Sequence, residues 1–154
     1  MTTLIRSKDR KVANSVTKSG NPNIANSFGL PAGKDYSCPE QTAFCGKICY
    51  AGKLEKIYKG VKANLIANWE SVKDSDFDTL VESLDSMITA FENECDRKSA
   101  DKLFRIHWDG DFFSNDYTRA WAAVIENHPD THFWVYTRVL ASAMVLHYRV
   151  IPNL

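Results

Sequence analysis

No stretch of this 154-residue sequence approaches the roughly eighteen consecutive apolar residues of a membrane-spanning helix, so no membrane association is expected. The opening Met1-Thr2-Thr3-Leu4-Ile5-Arg6 lacks the apolar centre of a secretory signal, which points to a cytoplasmic protein. Net charge is also missing, with nineteen Lys/Arg against nineteen Asp/Glu. That balance is uneven along the chain. Residues 1–62 carry eleven Lys/Arg and four Asp/Glu, and the remainder carries eight and fifteen. The basic part could attract an anionic partner such as nucleic acid. The simpler reading is that it complements the acidic remainder, because no dense Lys/Arg block with interleaved aromatics appears.

A second cysteine pair is lacking as well. Three of the four cysteines, Cys38, Cys45 and Cys49, fall within twelve positions as C-x6-C-x3-C. Three uses are open: a disulfide with a spare thiol, a zinc site, or an iron–sulfur cluster. A reducing cytosol disfavours the disulfide. Structural zinc usually takes four ligands from two short clips, and only one wide clip is present. A [4Fe–4S] cluster on three thiolates leaves one iron open, so three cysteines without a fourth favour the cluster, with zinc as the alternative. Cys95 sits on a helical apolar stripe and reads as a buried, inert thiol rather than a fourth ligand.

The rest has the composition of a soluble globular domain, 44% hydrophobic and 25% charged. Residues 1–27 read as a polar, extended or loosely ordered N-terminal arm, and 28–154 as a single α/β domain. Apolar residues from Leu54 to Trp69 recur at helical steps directly behind Cys49. A longer helix carries Phe77, Leu80, Val81, Leu84, Met87, Ile88 and Phe91, with Ser75 and Asp78 as a capping box. A strand over Leu103–Trp108 leads to Asp109-Gly110-Asp111. A helix with Tyr117, Ala120, Trp121, Val124 and Ile125 follows, capped by Ser114 or Asn115. A second strand covers Thr131–Tyr136, a short helix Ala141–Tyr148, and Val150–Leu154 resembles the start of another strand. Strand–helix–strand order predicts a parallel α/β arrangement: a partial (half) βα barrel, or a small parallel sheet flanked by helices, with a cysteine-bearing loop.

Function in such sheets gathers at the carboxyl ends of strands. Asp109 and Asp111 could bind a cation or amino group, with Gly110 allowing close approach; otherwise they cap the next helix. Arg138 could clamp a carboxylate or phosphate, or form a surface ion pair. Tyr50 and Tyr136 wall the pocket or simply pack in the core. His107 alternates with Arg105 and Asp109, and reads equally as a ligand, a proton carrier or a core histidine. His128, His132 and His147 carry no assigned role.

Cys38-Pro-x5-Cys45-x3-Cys49-Tyr50-Ala51, preceded by Leu30-Pro31-Ala32-Gly33, resembles the cysteine block of the phage gene-product-88 family. Arg105–Phe112 with Tyr117 and Trp121, and then Phe133–Arg138, are similar to that family's second and third blocks. The layout is also similar to that of radical S-adenosylmethionine enzymes, although their usual spacing is C-x3-C-x2-C. By that likeness Cys38, Cys45 and Cys49 would ligate a [4Fe–4S] cluster and Gly110-Asp111 would receive the methionyl amino group of S-adenosylmethionine. The chain has room for only about half the βα units of such a barrel. The resemblance therefore implies a phage-type iron–sulfur protein in the host cytoplasm, either catalytic or an accessory protein. In the accessory case the cluster or zinc would stabilise a surface for a host protein or nucleic acid. Self-association or a host partner covering an open sheet edge is a further expectation.

Overall fold

A computed structural model describes residues 3–150. The chain runs β1 (Arg6–Ser7), β2 (Ser27–Gly29), α1 (Ala43–Ile48), α2 (Tyr50–Ile57), α3 (Lys59–Val72), α4 (Phe77–Lys98), β3 (Leu103–Asp109), α5 (Asn115–Asn127), β4 (His132–Val135) and α6 (Leu140–Val150). The four strands form one open sheet in the order β1-β2-β3-β4, antiparallel at β1–β2 and parallel elsewhere. Of the two architectures expected, it is the small flanked sheet that forms, with no barrel closure. The strand start expected at Val150–Leu154 finds Val150 ending α6, and its other residues lie outside the described ones. No described helix is long and apolar enough to cross a membrane.

The core follows from helical periodicity. Leu80, Leu84, Met87, Ile88, Phe91 and Cys95 recur at three- and four-residue steps on α4 and are all buried. Tyr117, Ala120, Trp121 and Val124 do the same on α5. Phe28 of β2 and Phe104 and Ile106 of β3 fill the space between these helices and the sheet. Asp76, rather than Ser75, caps α4 by accepting from Thr79 N at 2.8 Å, while Ser75 Oγ donates back to Ser71 O. Ser114 caps α5 through Tyr117 N. The helix expected from Leu54 to Trp69 is two helices, because Tyr58 takes an extended conformation between α2 and α3.

Residues 3–27 are not loose. Leu4, Val12 and Ile24 are buried, and Arg6 pairs in register with Phe28. Asn26 works as a hub: its amide donates to Asp9 O, Val12 O and Asn14 Oδ1, and its oxygen accepts from Asp9 N at 2.7 Å. Asn68 of α3 binds both backbone groups of Ile5, at 2.8 and 2.9 Å. Polar composition suggested a solvated arm, but those polar side chains substitute for the missing backbone partners of irregular chain.

Strand β3 carries the irregularity that shapes the site. The register jumps from Ser27 opposite Arg105 to Gly29 opposite Asp109, and His107 adopts φ 59°. Such a bulge reverses the side-chain alternation. Phe104 and Ile106 are buried before it, His107 and Asp109 after it. His107 therefore leaves the period-2 series with Arg105 on which its sequence reading rested.

Candidate functional site

The loop between β2 and α2 is tied to the end of β3. Leu30 N donates to Asp109 O at 3.0 Å, Ser37 Oγ donates to Pro31 O at 2.9 Å, and Ser37 Oγ accepts from Asp111 N at 3.2 Å. Gly110 stands at φ 83°, where a Cβ would lie 2.4 Å from Ser37 Oγ and 2.8 Å from Leu30 O. Only glycine lets β3 and the loop approach this closely. Beyond this anchor the loop is lightly held. Thr42 caps α1 by accepting from Cys45 N at 3.0 Å, yet α1 buries no residue and leaves Phe44 and Ile48 exposed. Cys49 itself caps α2, its Sγ accepting from Gly52 N at 3.3 Å.

Around this junction lies a cavity of about 560 Å³. It is lined by Cys38, Cys45, Cys49, Tyr50, Asp109, Gly110, Asp111 and Arg138, so every site residue expected from the sequence borders the same space. The cysteines are all free. Among the described residues, no three Cys, His, Asp or Glu side chains stand close enough together to hold a metal ion. The thiols border the cavity without converging.

The acids differ sharply. Asp111 is filled: Oδ1 accepts from Phe112 N at 2.9 Å and Thr137 Oγ1 at 2.5 Å, and Oδ2 from Arg138 N at 2.9 Å. It clasps the end of β3 to the segment after β4. Asp109 is 3% exposed, its side chain accepts at Oδ1 from Gly110 N, and its Oδ2 is buried without a donor. Burial and the neighbouring Glu55 carboxyl push its acid up to about 9. Glu55, also buried, accepts from Ala32 N at 2.8 Å and was not singled out by sequence reasoning. Its one sequence signal is its place four residues after Ala51 on the buried side of α2.

Cys38 is likewise held neutral, its thiol pushed up to about 11 chiefly by burial, with the Asp111 charge adding to it. His107 borders the cavity with one face but is a core residue by its bonds. Its Nε2 meets Tyr117 Oη at 2.8 Å, and burial, with Arg105 beside it, lowers its basicity to about 3. It stays a neutral imidazole at working pH and takes up no second proton there. Arg138 contributes its backbone N–H to the clasp while its side chain is exposed. Tyr50 and Tyr136 are exposed lining residues, not core. Cys95 is fully buried on α4 and donates weakly to Asp101 O at 3.7 Å.

Similarity to known proteins runs along the whole chain. The family model described as gene product 88 matches residues 2–154. The gene 88 proteins of Mycobacterium phages L5 and D29 are each 54% identical over 158 aligned positions. These alignments cover the whole chain but only 66% of each phage protein, so the chain spans just under two thirds of these curated relatives. No solved structure matches. With a family model covering nearly every residue and phage relatives identical at more than half of their aligned positions, the chain belongs to the gene product 88 family.

Proposed function

We propose that this is an iron–sulfur protein in which Cys38, Cys45 and Cys49 hold a [4Fe–4S] cluster, with one iron left free of a thiolate. The observation that carries this reading is that three free thiols line one cavity together with the ends of two parallel strands. The donor set fits: three soft sulfur ligands favour an iron–sulfur cluster over hard cations. The loop is also compatible with it, since α1 buries no residue that closing on a metal would have to uncover. Metal binding would displace the proton that Cys38 retains, which makes loading favourable at higher pH.

Such a cluster supplies one-electron chemistry, including the reductive cleavage of S-adenosylmethionine. In that finer reading Asp111 is not the group that receives an amino group, because three donors already occupy its carboxylate. The acceptor without a donor is Asp109 Oδ2, and Asp109 would have to give up the proton it keeps beside Glu55 to receive an ammonium group. A second reading is a non-enzymatic accessory protein whose metal stiffens a surface for a host protein. It is favoured by the exposed Phe44 and Ile48 beside the cysteines.

Iron, sulfide and zinc content of protein purified without oxygen tests the proposal. About four irons and four sulfides per chain are expected, lost in Cys45→Ser and retained in Cys95→Ser. One zinc without sulfide would replace the cluster with a structural metal. No metal of either kind would leave the cysteines as ordinary thiols. With the cluster loaded and reduced, release of methionine and 5′-deoxyadenosine from S-adenosylmethionine separates the enzyme from the accessory protein.

A further inference from the structure

A second cleft, of about 520 Å³, opens on the other side of Tyr50. One wall is the segment that follows β1, the other is α2 with the start of α3. The segment brings Lys8, Arg10 and Lys11 to this space, all exposed and unpaired with any described carboxylate. The one acid among the lining residues, Asp9, is neutralised by an ion pair with Arg105. Across the cleft stand Tyr50 and Tyr58, 66% and 56% exposed, with Leu54 between them. Lys11 Nζ lies 6.0 Å from the centre of the Tyr50 ring. Four further exposed lysines lie on α2 and α3, and the single acid between residues 50 and 69, Glu55, is buried.

Exposed tyrosines are poor choices for a surface that meets only water, and unpaired cations gathered opposite them are poorer still. The pairing of a cationic wall with an aromatic wall matches a polyanion that also presents flat rings. We propose that this cleft binds single-stranded nucleic acid, with Lys8, Arg10 and Lys11 on the phosphates and Tyr50 and Tyr58 stacking on unpaired bases. The inference goes beyond the metal reading and does not depend on it: the three cations and Tyr58 border this cleft whatever the thiols hold. Folding creates the site. The cations and the rings are some forty residues apart in sequence, and β1 together with the Asp9–Arg105 pair is what carries the basic segment across to α2. Tyr50, Lys11 and Arg105 border both cavities, so a strand in the cleft would run toward the cysteine site.

Fluorescence anisotropy with a labelled oligothymidine of about twelve nucleotides, across a salt series starting near 50 mM, tests it. Three phosphate-neutralising cations predict a slope of about −2 in log K against log salt for a single strand. The combined Lys8→Ala, Arg10→Ala, Lys11→Ala variant should bring that slope near zero. Tyr58→Ala should weaken binding roughly tenfold or more with the slope unchanged. All four positions are exposed, so far-UV circular dichroism should be unaltered in both variants. A duplex of the same length should bind more weakly than the single strand, because its bases are not free to stack. Absence of oligonucleotide binding at low salt would overturn the proposal and turn attention to an acidic protein partner. Equal binding of duplex and single strand with no effect of Tyr58→Ala would overturn it too, leaving only charge attraction.

Discussion

Two carboxylates two residues apart meet opposite surroundings. Asp111 is satisfied by three donors, whereas Asp109 holds a buried, unpartnered oxygen beside Glu55. The consequence is a pH dependence with a definite sign. In the unfolded chain an aspartic acid loses its proton near pH 4, while in the fold Asp109 keeps it up to about 9. The folded state thus binds the extra proton between these values. The stability this group contributes is whole below about pH 4 and declines as pH rises toward 9. His107 has its own window on the acid side, below about 6.5, because its lowered basicity favours folding only while the unfolded imidazole is neutral. Asp109→Asn should therefore raise the urea midpoint of metal-free protein at pH 8 and flatten its fall between pH 7 and 9. At pH 4 wild type and variant should nearly coincide. Equal midpoints at pH 8 would mean that Asp109 is ionised and accommodated. Asp109 and Asp111 were visible in the sequence as acids at a strand end, but their contrast was not. It arises from Glu55 on α2 and from Thr137 and Arg138 after β4, which no local pattern connects to them.

At the scale of elements, α1 and α4 differ most. α4 is a 22-residue helix with a continuous buried stripe, legible from its 3.6-residue period. α1 has six residues and buries none, so its hydrogen bonds are protected by no packing. Amide hydrogen exchange should be fast over 43–48 and slowest over the buried centre of α4 and over α5. Loading with iron and sulfide under anaerobic, reducing conditions should slow exchange across residues 38–49 and leave α4 unchanged. Exchange in the loop unaffected by metal would place the thiols outside any ligand set. The break at Tyr58 and the bulge at His107 were both hidden from periodicity. Gly60, two residues past Tyr58, is the one local signal of the first, and the second goes with the insertion of His107 between Phe112 and Tyr117.

At the scale of the molecule, the N-terminal segment behaves as part of the domain. Leu4 and Val12 enter buried positions, Asn26 and Asn68 satisfy its backbone, and Asp9 neutralises Arg105 beside the site. Deleting residues 1–14 should leave Arg105 as a partly buried charge without its partner, exposing Phe28 along one sheet edge as well. A loss of several kcal/mol follows from an unpaired charge plus lost apolar burial. The truncated chain should therefore show a much lower urea midpoint or fail to fold at 25 °C, by circular dichroism and size-exclusion chromatography. A truncated chain as stable as the whole would make the segment a true arm.

The order of elements from α4 to α6, the apolar faces of α4 and α5 and the clustering of three cysteines were determined by the sequence alone, because each depends on spacing along the chain. The same local logic put Asp109, Gly110, Asp111 and Arg138 at strand ends. Only the tertiary structure decided which of these side chains are spent on holding the fold and which remain free. It also brought the basic segment after β1 opposite the tyrosines of α2 and α3. Those outcomes depend on partners far apart in sequence, joined by a parallel sheet whose register and bulge are set by packing.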